Sequence, residues 1–115
     1  MIRKIAGNPL VVNMKPAEDM AAGDVLVVGN YPYVADAEYV SAVMYNVGLN
    51  YFGGEYETTD TDAAFAAGDE VYWNPAAKKL TKSVTGAVHF GRVITPCAKA
   101  GASCTVLLTP NGTKK

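Results

Sequence analysis

The residue types able to do chemistry are few in this chain, and their spacing restricts what they can do. His89 is the only histidine. A nucleophilic triad would need it beside a serine or cysteine, with a carboxylate behind. Ser83, Cys97, Ser103 and Cys104 lie nearby in sequence, but none stands in a nucleophile-elbow setting such as Gly-x-Ser-x-Gly. A histidine beside Phe90 on a strand fits an outward-facing or hydrogen-bonded role. Cys97 and Cys104 are too few and too widely spaced for a zinc knuckle or a Cys-x-x-Cys redox pair, and read as small, reduced core residues. The densest acidic stretch, EYETTDTD, carries Glu55, Glu57, Asp60 and Asp62. Such carboxylates hold Ca²⁺ only if several converge on one cavity, and the EF-hand spacing and its glycine are missing. A solvated acidic rim is the simpler reading, and a docking surface for a basic partner the next. No glycine loop of the dinucleotide- or phosphate-binding kind occurs. Lys78, Lys79 and Lys82 form a small solvated turn cluster. These residues point to a protein that is not an enzyme, with no cofactor and no metal site.

Composition narrows the field further. With 115 residues, half of them hydrophobic and 18% charged, the chain reads as one folded domain. The formal net charge of −1 supplies no basic field for nucleic acid. Charge is uneven, with acidic residues in excess before residue 58 and basic ones after it, a pattern that could steer copies head to tail. MIRKIAGNPLVVN has positive charge but no apolar stretch of signal-peptide length. No run of about 18 apolar residues marks a membrane span. The expected place of synthesis and folding is a reducing cytoplasm.

The elements that must position these groups are strands. Apolar residues come in short runs punctuated by Gly, Pro, Asn and Asp. The runs predict strands at Leu10–Met14, Asp24–Val28, from Tyr31 through YPYVADA, Val40–Val47, Leu49–Thr58, Glu70–Asn74, Leu80–Val84, Val88–Thr95 and Ser103–Thr109. Pro32 suits an edge or a strand start. Gly53-Gly54 and Gly91 are bulge or bend sites. The connections 15–24 and 59–68 have room for one helical turn each. The expectation is an all-β domain, a small barrel-like or sandwich fold of eight or nine short strands with glycine bulges. It spans residues 10–109, with 1–9 an N-terminal arm and 110–115 a polar tail that frays.

Two stretches share a lead-in: AAGDVLVVGN from Ala21 and AAGDEVYWN from Ala66. In each, Gly can take a positive φ and Asp can bond backbone amides of the turn. The pleat then points Val71 and Trp73 one way and Glu70, Tyr72 and Asn74 the other. Val25 and Val27 take the matching inward positions in the first copy. Val25, Val27, Val71, Trp73 and Phe90 are therefore the expected core; a ligand platform on Trp73 is the rival reading. The echo predicts one turn-into-strand unit used twice.

Six of the seven tyrosines fall between Tyr31 and Tyr56. Tyrosine combines an apolar body with a polar tip and is enriched at protein interfaces. This segment is the best pointer to a protein-binding surface, and Tyr31, Tyr33 and Tyr39, with Ile2, Arg3 and Lys4 of the arm, are the interface candidates.

AAGDVLVVGN, AAGDEVYWNP and GAVHFGRVI together resemble a family of small bacteriophage proteins described as capsid decoration, cement or capsid-fibre proteins. The Val-Tyr-Trp-Asn piece is the most distinctive. The tyrosine-rich middle departs from the smaller, Ala- and Gly-rich family pattern. The resemblance implies a compact β-barrel-like domain that binds the outer surface of an assembled icosahedral head, often as a homotrimer. Its partner would be the major capsid protein, with no nucleic acid, membrane or cofactor involved and no enzymatic activity. Met1–Asn8 could then lie over the shell and order on binding. A carbohydrate- or host-surface-binding β module displayed on the virion is the alternative.

Overall fold

Most of the short apolar runs cut by turn residues fold as strands. The computed structural model describes residues 1–112, which form ten strands and no helix. Six make one antiparallel sheet in the order β1 (Arg3–Ala6), β6 (Glu55–Thr58), β10 (Cys104–Leu108), β9 (Val88–Thr95), β7 (Glu70–Asn74), β8 (Lys79–Thr81). The other four make a second antiparallel sheet in the order β2 (Leu10–Met14), β5 (Val47–Phe52), β4 (Tyr31–Ala35), β3 (Val25–Val28). The architecture is sandwich-like, as the all-β expectation allowed.

Several elements differ from the sequence reading. The N-terminal residues carry β1, which pairs with β6 and seats Ile2 in the core. Deleting residues 2–8 would thus remove core as well as surface. Val40–Val47, rich in β-branched and aromatic residues, is not a strand until Val47. Its first half is a turn in which the Val40 carbonyl accepts from the Val43 and Met44 amides at 3.1 and 2.9 Å. Strand preference is a preference for a half-buried pleat, and no neighbouring strand offers one there. Leu49–Thr58 is two strands, not one bent strand. Gly53-Gly54 carries the chain from the four-stranded sheet into the six-stranded one. The tail expected over 110–115 is described to Gly112; Thr113–Lys115 lie outside the described residues.

The echoed lead-in is one turn built twice. The Ala21 carbonyl accepts from Asp24 N–H, and the Ala66 carbonyl from Asp69 N–H, both at 3.1 Å. The Asp24 and Asp69 carboxylates accept from the Ala21 and Ala66 amides, both at 2.9 Å. Gly23 and Gly68 have φ of 90° and 89°, the left-handed conformation a type II turn requires at that position. The match extends outward. Gly23 N–H reaches Ala35 O and Ala35 N–H reaches Asp24 O; Gly68 N–H reaches Val93 O and Val93 N–H reaches Asp69 O. Met20 bridges Tyr39 just as Phe65 bridges Cys97. Strand order follows suit, since β2-β5-β4-β3 maps onto β6-β10-β9-β7. β1 and β8 are the additions that widen the second copy.

The main core lies between the sheets: Ile2, Val34, Tyr56, Val71, Trp73, Phe90, Val106 and Leu108 are buried there, with Val25 and Val27 half-buried against them. Val25 and Val27 do face this core, but counted from the shared Gly-Asp they align with Glu70 and Tyr72, not with Val71 and Trp73. The match of Val71 is Leu26, which packs on the second cluster, so the two copies turn opposite faces to the main core. A second cluster, Met20, Ala35, Tyr39, Val47 and Leu49, covers the far face of the four-stranded sheet. β9 carries the expected irregularity: the pairing of Val71 with Gly91 and Tyr72 with His89 leaves Phe90 as the extra residue. Gly91 is needed for a different reason. A Cβ there would lie 1.9 Å from the Leu107 carbonyl oxygen of β10.

Candidate functional site

His89 is 3% exposed. It pairs with Tyr72, on the face opposite Val71 and Trp73, and the two rings meet edge to face at 5.2 Å. Nδ1 accepts from the Asn111 amide at 3.2 Å, so the ring proton sits on Nε2. Nε2 is 3.3 Å from Glu70 Oε1, within ion-pair distance but out of hydrogen-bond alignment. Cys97 and Cys104 are free thiols buried in the inter-sheet core, and Ser83 is tied by its amide to Thr81 Oγ1. Burial, with the neighbouring Cys97, pushes the Cys104 thiol up to about 12, so it stays protonated and poorly nucleophilic. This arrangement supplies a packed histidine and inert thiols.

A cavity of about 750 Å³ runs beside β3 and the β7–β8 turn, and His89 is not among its lining residues. Trp73 lines it but is only 5% exposed, so it offers little ring face for stacking. The acidic stretch does not converge. Glu57 pairs with Arg3, and Asp60 pairs with the N-terminal ammonium of Met1. Among the described residues no group of three or more His, Cys, Asp or Glu side chains could hold a metal ion.

The interface candidates separate into surface and support. Arg3 and Lys4 are exposed on β1, where Lys4 lies 3.5 Å from Asp36. Tyr31 is exposed and Tyr33 half-buried on β4. Ile2 and Tyr39 are core residues, with side chains turned away from solvent. Tyr56 is also buried; its hydroxyl donates to Gly53 O at 3.1 Å, and burial, with Asp36 nearby, raises its pKa.

Two surface features escaped the sequence reading. The first is the turn after Tyr39, where Val43 and Tyr45 are 81% and 78% exposed. Asp19 braces it: one carboxylate oxygen accepts from Ser41 N–H at 2.8 Å and Ser41 Oγ at 2.7 Å, which holds the Asp19 pKa below its ordinary value. Lys15 Nζ sits 5.2 Å above the Tyr45 ring, a cation–π contact. The second is β2, where Leu10 and Val11 are more than half exposed and Val12 is 36% exposed. An aliphatic run reads as core in any sequence; only the missing neighbour marks it as surface. What the arrangement offers is a braced scaffold with apolar contact points.

A family model described as phage cement protein matches residues 6–109. No curated protein and no solved structure matches the chain.

Proposed function

Because the chain belongs to the phage cement protein family, and so is a structural protein of the capsid surface and not an enzyme, we propose that it stabilises the assembled head by bridging neighbouring major capsid subunits from outside. The observation that carries this reading is the family match over residues 6–109. The contact points favoured by exposure are the braced turn at Val43, Met44 and Tyr45, with Arg3, Lys4 and Tyr31 around the sheet surfaces and the half-buried Tyr33 next to Tyr31 on β4. Ile2 and Tyr39 act from behind, Ile2 by anchoring β1 and Tyr39 by holding the start of the turn against Met20. Rigid bracing lowers the ordering cost of docking. Each contact need only be modest, because many copies attach to one shell and attachment is multivalent.

Mixing purified protein with undecorated heads and sedimenting them tests the reading. Saturable, stoichiometric pelleting is expected; protein that stays in the supernatant at all ratios overturns it. The resemblance implies a trimer, and the mass of the free protein decides the number of copies.

A further inference from the structure

The internal repeat makes the two sheets comparable edge by edge. Through the mapping of β2 onto β6, Val11, Val12 and Asn13 correspond to Glu55, Tyr56 and Glu57: Val12 pairs with Leu49 as Tyr56 pairs with Val106. In the second copy, the outer edge of this strand is filled. β1 lies along it, with Lys4 opposite Tyr56 and Arg3 opposite Glu57. In the first copy, among the described residues, the same edge is bare, and β2 ends the sheet.

The bare edge carries its guards only at its ends, where Pro9 precedes β2 and Lys15-Pro16 follow it. Natural sheets guard exposed edges with lysine, proline or a bulge that twists the edge away. β2, LVVNM, has no charge or proline within it, and neither has its partner β5, VGLNYF. Its single register shift lies at the Leu10 end. The filled edge joins charged strands of opposite sign, RKIA against EYET. By the same logic, the bare edge calls for an uncharged strand. Two strands of this sheet fit that description, each unpaired on one side: β3, VLVV, and β2 itself. β2 is the longer and the more exposed of the two, which favours pairing of β2 with its own copy.

We propose that β2 is the contact between two copies of this chain, paired antiparallel about a two-fold axis at Val12. Val12 then faces Val12 of the second copy, Val11 faces Asn13, and Leu10 faces Met14. The two four-stranded sheets become one sheet of eight strands, and no charge is buried at the seam. Such an interface is isologous, the commonest kind in soluble oligomers. This contact is independent of shell binding, and it departs from the three-fold that the resemblance implies.

Sedimentation equilibrium of the free protein over a concentration series tests it. The expected mass is that of two copies. Val12→Lys and Val12→Glu should each weaken pairing at least tenfold, because like charges would meet across the axis, and an equal mixture of the two variants should restore it. Circular dichroism shows whether the variants fold. Should they not, amide exchange of the wild-type protein gives the answer: residues 10–14 should be more protected at high concentration than at low. A monomer at every concentration, a three-copy mass, pairing insensitive to both charges, or protection of 10–14 that appears only on adding heads would each overturn the proposal. Loss of head binding with the two-copy mass intact would overturn the capsid reading alone.

Discussion

At Gly91 a hydrogen atom is all the space allows. The Leu107 carbonyl approaches so closely that a methyl group there must push β9 and β10 apart, at the centre of the six-stranded sheet. Gly91→Ala should therefore destabilise the fold by about 3 kcal/mol, the upper end of ordinary overpacking, read as a fall in the urea midpoint. Cys104 gives a pH-dependent counterpart. Its folded pKa, about 12, stands above the ordinary value of 9.0, through burial first and Cys97 second. The folded state therefore holds the proton more tightly than the unfolded chain. That contribution is complete below about pH 9 and is lost as pH rises towards 12. The stability gap between wild type and Cys104→Ala should shrink between pH 8.5 and 11, roughly the window set by those two values, when measured by denaturant titration. A gap that stays constant would show that the thiol carries no such linkage.

At the scale of elements, the duplicated turn makes a paired prediction. Asp24 and Asp69 perform the same task, one in each sheet. Asp24→Ala and Asp69→Ala should each cost about 1 kcal/mol, as for loss of a capping carboxylate, and the double variant should cost the sum to within about 0.5 kcal/mol. Thermal and urea unfolding of the three variants would check both numbers. This unit was legible in the sequence because its signal is local. Gly and Asp act on their own backbone, so four residues suffice to specify the turn. The inward set Val71 and Trp73 was legible too, since period-two alternation needs no knowledge of the partner strand. The Val40–Val47 segment was misread because its fate depends on something distant: Asp19 takes Ser41 and closes a turn where β-propensity alone predicts a strand. β1 was hidden for a related reason. RKIA has little apolar alternation, and it is a strand because Glu57 and the free edge of β6 receive it. Of the six candidate interface residues, Ile2 and Tyr39 could not be told from surface residues by type, since an isoleucine in a charged segment and a tyrosine among tyrosines carry no mark of burial.

For the whole molecule, the contact that matters is with the shell. Val43 and Tyr45 stand out from a turn held by Asp19, so softening their apolar surface should act on binding and not on folding. The double variant Val43→Ser, Tyr45→Ser is expected to leave the melting temperature within about 2 °C of wild type, as for exposed sites away from the core. Its apparent affinity for undecorated heads should fall about tenfold or more, the loss of one modest contact multiplied over a multivalent attachment. Pelleting with the wild-type curve would remove the turn from the interface.

Among the described residues the chain passes between its two layers only at residues 7–9 and at Gly53-Gly54, and these passages lie side by side: a Cβ on Gly7 would come within 3.0 Å of Gly54 Cα, and one on Gly53 within 3.4 Å of Pro9 Cα. The molecule is thus bound like a book, with both covalent stitches in one spine. A force prying the covers apart meets the chain itself at the spine; elsewhere it meets side-chain packing, the Ile2 amide on Gly23 O and the Lys4–Asp36 pair. A coat that must withstand stress from within would be oriented so that tension runs along the pages and not across them.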